Sequence, residues 1–146
     1  MEENADYIHT VQYYETDKMG VAHHSNYIRW MEEARIDFLR QIGWDYPKLE
    51  EMGIVSPVIG VSCEFRHPTA FADRVAIRVF ITEFRGVVLR FGYEMKKQDG
   101  TEVCTGTSAH AFLNAEGSPI RLKRDYPELF EALSQCAAAE KPQSES

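Results

Sequence analysis

The sequence predicts an α+β fold in which an antiparallel sheet covers one amphipathic helix. Three observations carry this expectation. Tyr27, Met31, Ala34, Phe38 and Ile42 recur at spacings of three or four, the mark of a helix with one buried face. Val75, Ile77, Val79 and Ile81 alternate with Arg74, Ala76, Arg78 and Phe80, the period of a strand with one covered side. Arg85-Gly86 and Asp99-Gly100 are turn signals between such runs, so the strands they join run antiparallel.

The elements follow in order. A first strand is expected over 7–14, where Tyr7, His9, Val11 and Tyr13 share a face. A loop through Gly20 leads into the long helix, and Gly43 ends it. Asp45-Tyr46-Pro47 opens a short helical turn through Met52, closed by Gly53. The second strand covers 54–66 with a bend at Pro57 or Gly60, because proline fits a central ladder poorly. The alternating Arg74–Ile81 run is the third. The fourth places Val87, Leu89, Phe91, Tyr93 and Met95 on one face, and the fifth covers 103–113 before Asn114-Ala115-Glu116-Gly117. A last helix spans 127–138. One domain over 1–136 is expected, followed by a disordered tail over 137–146, whose Ala, Glu, Lys, Pro, Gln and Ser composition cannot build a core.

Composition excludes several functions. A chain of 146 residues, 44% hydrophobic and 27% charged, reads as a soluble globular domain able to bury a core. No apolar stretch is long enough to span a bilayer. Residues 1–6 are acidic and lack an apolar centre, so no signal peptide is read there and a cytoplasmic location is expected. Cys63, Cys104 and Cys136 form no Cys-x-x-Cys pair and read as reduced thiols. A net charge of −7 disfavours nucleic acid as a partner. His9, Asp17, His23, His24 and His67 offer ligand types, but adjacent histidines rarely serve one ion and no helical His pairing exists, so no metal is expected. Nucleophile elbow, phosphate loop and dinucleotide fingerprint are all missing from the sequence.

The segment Thr16-Asp17-Lys18-Met19-Gly20-Val21-Ala22-His23-His24-Ser25-Asn26-Tyr27 carries the chemistry. It sets a carboxylate in a tight loop and an imidazole seven residues later, where the helix begins. A helix N-terminus offers free N–H groups and the positive end of the macrodipole, which stabilise an oxyanion on an attacked carbonyl. Asp17 can act as nucleophile or as base toward water; Thr-Asp before glycine is also an ordinary loop composition. His24 can orient Asp17 or water, or pass a proton to a leaving group; alternatively a histidine, Ser25 or Asn26 only caps the helix. Gly20 permits a φ > 0 turn or close approach of substrate. Tyr13 either lines the site or packs in the core, and Tyr27 opens the apolar helical face. Glu64 and His67 lie near the Arg66-His67-Pro68 strand end, within reach of a pocket.

Tyr13 through Tyr27, continuing in Ile28-Arg29-Trp30-Met31-Glu32-Glu33-Ala34-Arg35, resembles the hotdog-fold acyl-CoA thioesterases, more narrowly the 4-hydroxybenzoyl-CoA thioesterase branch that includes Tol-Pal-associated thioesterases. The likeness extends over about 7–121 and is most specific at the loop and helix start. It implies a curved five-stranded antiparallel sheet wrapped around the long helix. It also implies cofactor-independent hydrolysis of an acyl-CoA to a free acid and coenzyme A. Asp17 matches the family's catalytic aspartate, His24 the motif histidine and Tyr13 a recurrent tyrosine, whereas His23 falls where relatives often carry an aromatic. Gly20, Ser25 and Tyr27 fall on the substrate side, and a homodimer or homotetramer is expected because the family builds its sites at subunit interfaces. Coenzyme A is polyanionic, so Arg121 with Lys123 and Arg124, or Arg85 with Arg90, are candidate phosphate ligands; such charges are also common as solvated faces. A noncatalytic acyl-CoA-binding protein and a hotdog hydratase or dehydratase are the alternatives.

Overall fold

The computed structural model describes residues 5–139. The elements are β1 (Tyr7–Thr10), a 3₁₀ turn (Tyr13–Glu15), α1 (Ser25–Gln41), α2 (Tyr46–Glu51), β2 (Val58–Phe65), β3 (Arg74–Phe84), β4 (Leu89–Lys97), β5 (Glu102–His110), α3 (Leu122–Asp125) and α4 (Pro127–Ala139). The five strands form one antiparallel sheet in the order β1-β3-β4-β5-β2. Helix α1 packs against β1, β2 and β3, and α4 packs on β3. This is the expected α+β arrangement, with the sheet covering one long helix.

The apolar stripe of α1 does what its period predicts. Tyr27, Met31, Ala34 and Phe38 are buried, and Trp30 and Leu39 widen the buried face. They meet Val75, Ile77, Ile81, Phe91, Tyr93 and Met95 in one core. Helix and sheet approach closely at Gly106, where a Cβ would lie 2.9 Å from the Ser62 carbonyl oxygen and 3.2 Å from the Met31 side chain. Asp45 caps α2 by accepting the Lys48 N–H.

Several expected boundaries move. β1 stops at Thr10 because the Glu15 carboxylate accepts the Gln12 N–H and curls the chain into the 3₁₀ turn; Tyr13 therefore sits on that turn, not on a strand face. β2 begins at Val58, with a register shift between Val58 and Gly60 where a bend was expected. Val87 lies outside β4 and is exposed, and β5 ends at His110. Of the expected tail, 137–139 belong to α4; 140–146 lie outside the described residues.

The core also contains a polar chain. Arg35 Nη1 donates to the Tyr93 hydroxyl (3.2 Å), which meets Ser108 Oγ (2.6 Å), which meets His110 Nε2 (2.7 Å). Burial, with the Arg35 charge nearby, pushes the His110 imidazole down from 6.5 to about 4. An unfolded chain takes up this proton as pH falls through about 6.5, and the folded chain only near 4. Stability is therefore lost as pH falls across that window. Urea midpoints measured from pH 7 to pH 4 are expected to drop less steeply in His110→Asn than in the wild type; equal slopes would contradict this assignment.

Candidate active site

The candidate site is built from the turn before α1 and the far end of β2. Thr16 and Ala22 pair as a bridge, Asp17 N–H donates to the Val21 carbonyl (2.9 Å), and Gly20 N–H donates to the Asp17 carbonyl (2.9 Å). Gly20 has φ +83°, so Lys18-Met19-Gly20 forms a three-residue hairpin loop with glycine at its left-handed position. Space is open around Gly20, so Gly20→Ala pays for backbone strain alone. A loss of about 1–2 kcal/mol is expected, read from the urea midpoint; a neutral change would show that the loop does not depend on this geometry.

The hairpin is tied down on two sides. Ala22 N–H donates to the Thr69 carbonyl (2.8 Å), and Val21 bridges to Ala70. The Glu15 carbonyl accepts from His23 N–H and from the Asn26 side chain, each at 2.9 Å. The buried Glu15 carboxylate accepts from Gln12 N–H and Trp30 Nε1–H and meets His9 Nε2, all at 2.9 Å. These hydrogen bonds outweigh burial and hold the Glu15 carboxyl below its usual range.

His24 stands at the N-cap of α1 but makes no side-chain cap. His23 takes that part: its Nδ1 accepts the Ser25 N–H (3.2 Å) and meets Ser25 Oγ (2.9 Å). Asn26 N–H returns to the His23 carbonyl, and Tyr27 N–H to that of His24. Among the described residues, neither the His24 backbone N–H nor its ring nitrogens have a hydrogen-bond partner. The ring stacks on His23 (4.2 Å between centroids) and meets Phe65 edge-on (6.3 Å).

Asp17, Ala22, His24, Tyr27 and, from the end of β2 onward, Phe65, Arg66, His67 and Pro68 line one open cleft of about 350 Å³. Asp17 is exposed; its Oδ1 accepts the Met19 N–H (2.8 Å), and Oδ2 has no partner among the described residues. Tyr27 is buried with its hydroxyl 3.0 Å from Thr69 Oγ1, and burial pushes the phenol up, so it stays protonated. His67 Nδ1 lies 2.8 Å from the Glu102 carbonyl, which can only accept, so Nδ1 carries a proton and donates it. Loop carboxylate, unencumbered imidazole and helix N-terminus thus share one solvent-open space, the inventory that attack on a carbonyl requires.

The remaining expected residues lie elsewhere. Tyr13 is 75% exposed, packs edge-on against Phe71 (5.8 Å) and does not line the cleft. Ser25 adjoins His24 but is engaged with His23. Arg85 is exposed and paired with Glu83 (3.3 Å), Arg121 is exposed before α3, and Arg124 pairs with Asp125 (2.9 Å). None of these cations lines the cleft; Arg66 does, with Glu64 at 3.0 Å. Phe65 and Arg66 are the lining residues least visible in the sequence. Their one signal was the Arg66-His67-Pro68 strand end, which had drawn attention to Glu64 and His67.

Comparison with known proteins agrees with this architecture. Residues 11–141 match the family model described as the thioesterase-like superfamily. The crystal structure of DHNA-CoA thioesterase from Staphylococcus aureus superposes with a TM-score of 0.87 at 30% identity, covering 92% of this chain and 91% of that one. A Bacillus subtilis (strain 168) protein named "Putative acyl-CoA thioesterase YneP" is 29% identical over 81% of this chain and 86% of its own length. The 1,4-dihydroxy-2-naphthoyl-CoA hydrolase of Thermosynechococcus vestitus is 26% identical over 74% of this chain and 75% of its own.

Proposed function

This chain belongs to the thioesterase-like superfamily, with the hotdog fold, and from that premise we propose that it is an acyl-CoA thioesterase using the Asp17–His24 cleft. The observation that carries the proposal is the meeting of Asp17 with the start of α1, where the His24 N–H has no partner among the described residues. The thioester carbonyl lies against that N–H, and the helix dipole stabilises the oxyanion formed on attack. Asp17 either attacks the carbonyl, giving a mixed anhydride that water opens, or removes a proton from attacking water. Both routes expel the coenzyme A thiolate and yield the free acid. The His24 imidazole serves the proton transfers.

The family's site at a subunit interface belongs to the same proposal. β2 is an edge strand with Val58, Ile59, Val61 and Phe65 exposed, a surface suited to a second copy. Arg66, the cation in the cleft, replaces Arg85 and Arg121 as the proposed first contact for coenzyme A phosphates. Placement in the 4-hydroxybenzoyl-CoA branch rests on the Tyr13–Arg35 segment. An aromatic acyl group is favoured by the Tyr27–Phe65 ring pair, 5.3 Å between centroids, and by the naphthoyl-CoA relatives.

The test is thiol release from a panel of aryl-, short- and medium-chain acyl-CoAs. Turnover, highest with aryl thioesters, is expected. Tight binding without thiol release from any substrate would contradict hydrolysis and favour a binding protein. Loss of enoyl absorbance without thiol release would identify a hydratase.

A further inference from the structure

His9 is buried, 9% exposed, yet a carboxylate faces each of its ring nitrogens. Glu15 Oε1 lies 2.9 Å from Nε2, and Glu33 Oε1 lies 3.0 Å from Nδ1. The three residues come from β1, the 3₁₀ turn and α1, and the reaction proposed above uses none of their side chains. On the β3 side, the residue in register with His9 is Val75, which carries no charge.

An ionised carboxylate only accepts hydrogen bonds. Burial works against the Glu15 charge, but hydrogen bonds from the Gln12 N–H, His9 and Trp30, with the attraction of His9, hold that carboxyl below its usual range. Glu33 is partly open to water, and its Oε1 also accepts the Tyr7 hydroxyl proton at 2.9 Å. Tyr7 is pushed up to about 12, first by burial and then by that bond and the Glu33 charge. A neutral imidazole has one N–H and would turn a lone pair on one of the two carboxylates. A doubly protonated ring donates to both. Trp30 is an independent sign: its ring lies against His9, centroids 4.6 Å apart and planes at 31°, and an indole face attracts a cation.

We propose that His9 is a buried imidazolium bridging Glu15 and Glu33, and a positioning residue for the Asp17–His24 cleft. The link to the cleft runs through Glu15. Its carboxylate is held by His9 and Trp30, while its carbonyl accepts the His23 N–H and the Asn26 side chain at the start of α1. Thr16 and Asp17 follow it directly in the chain. Glu33 ties the same ring to α1 about two turns further along. One cation thus fixes β1, the Asp17 hairpin and the helix start relative to one another. Without its charge, two carboxylates face one buried point, and the turn relaxes away from α1. The charge assignment stands by itself; the positioning role rests on the thioesterase reading above.

Long-range proton–nitrogen correlation NMR of the full chain at neutral pH reads the ring directly. Both His9 nitrogens are expected to be protonated; a lone pair on either would overturn the charge assignment. Glu33→Gln should lower Tm, whereas beside a neutral ring its amide would donate to the lone pair, so an unchanged or raised Tm also overturns it. His9→Gln should lower kcat by about 10–100-fold by misplacing the hairpin. KM should stay nearly unchanged, because Phe65 and Arg66 on the opposite wall are untouched. The His23 amide should lose hydrogen-exchange protection in the same variant. Wild-type kcat, or unchanged His23 protection, in folded His9→Gln would overturn the positioning role. Should His9→Gln not fold, adding Glu33→Gln removes one carboxylate with the cation and leaves a polar pair, and the same readings are made on that variant. Absence of turnover in the wild type would sink the thioesterase reading and the positioning role with it, while the ring spectra still decide the imidazolium.

Discussion

Asp17→Asn is expected to lower kcat for acyl-CoA hydrolysis by about 10²–10⁴-fold, the range for loss of a positioned base. The change keeps the side-chain volume and the oxygen that accepts the Met19 N–H, so the hairpin should remain folded. What disappears is the charge and basicity of a carboxylate whose second oxygen has no partner among the described residues. Loss should fall on kcat, with acyl-CoA affinity nearly unchanged, because aromatic walls and Arg66 are untouched. Steady-state kinetics with a binding measurement on the variant checks both parts. Unchanged kcat would remove Asp17 from the chemistry.

Glu15→Ala should produce the largest loss of stability, about 3–5 kcal/mol, the cost of removing one partner from a buried charged network. Trp30 Nε1–H and the Gln12 N–H lose their acceptor together, and His9 Nε2 loses its carboxylate contact, keeping only Glu33 at Nδ1 (3.0 Å). A carboxyl held below its usual range contributes stability above the unfolded value of 4.5, and that contribution is lost as pH falls through the lower folded value. The variant should therefore be weakened most at neutral pH, with the gap to wild type closing in acid. Because the Glu15 backbone also anchors His23 and Asn26, the Asp17 hairpin and α1 start should loosen, and kcat should fall with stability. Urea unfolding at two pH values checks this; a difference under about 1 kcal/mol at neutral pH would contradict the network, since surface changes are usually that small.

Helix α1 was legible because period and burial coincide: Tyr27, Met31, Ala34 and Phe38 all face the core, and Gly43 closes the helix with φ +87°. β3 was legible for the same reason at period two. Glu15 and Arg35 were not, because charged residues are normally exposed and nothing local shows that an indole, an imidazole or two phenols will surround them. Tyr13 looked like a strand residue because it continues the alternation of Tyr7, His9 and Val11; a single bond from Gln12 to Glu15 breaks that run.

The candidate site divides in the same way. Asp17, Gly20 and His24 lie in one contiguous segment whose residue types declare a turn and a helix start. The opposite wall, Phe65 to Pro68, comes some forty residues later and reaches the cleft only through the pairing of β2 with β5, in which Phe65 faces Cys104. Register at that distance is set by the whole sheet. Arg85 and Arg121 were chosen for charge and for their places beside a hairpin and near the end of the sheet region, and neither reveals which end of the molecule a loop occupies.

The central claim is that an acyl-CoA places its thioester carbonyl at the start of α1 beside Asp17. Its most direct test is a crystal structure with a nonhydrolysable acyl-CoA analogue in which a methylene replaces the thioester sulfur. The carbonyl oxygen is predicted to accept the His24 N–H at about 3 Å, with the Asp17 carboxylate facing the carbonyl carbon. An analogue seated with its carbonyl outside the cleft, for example beside Arg85 or Arg121, would contradict the account.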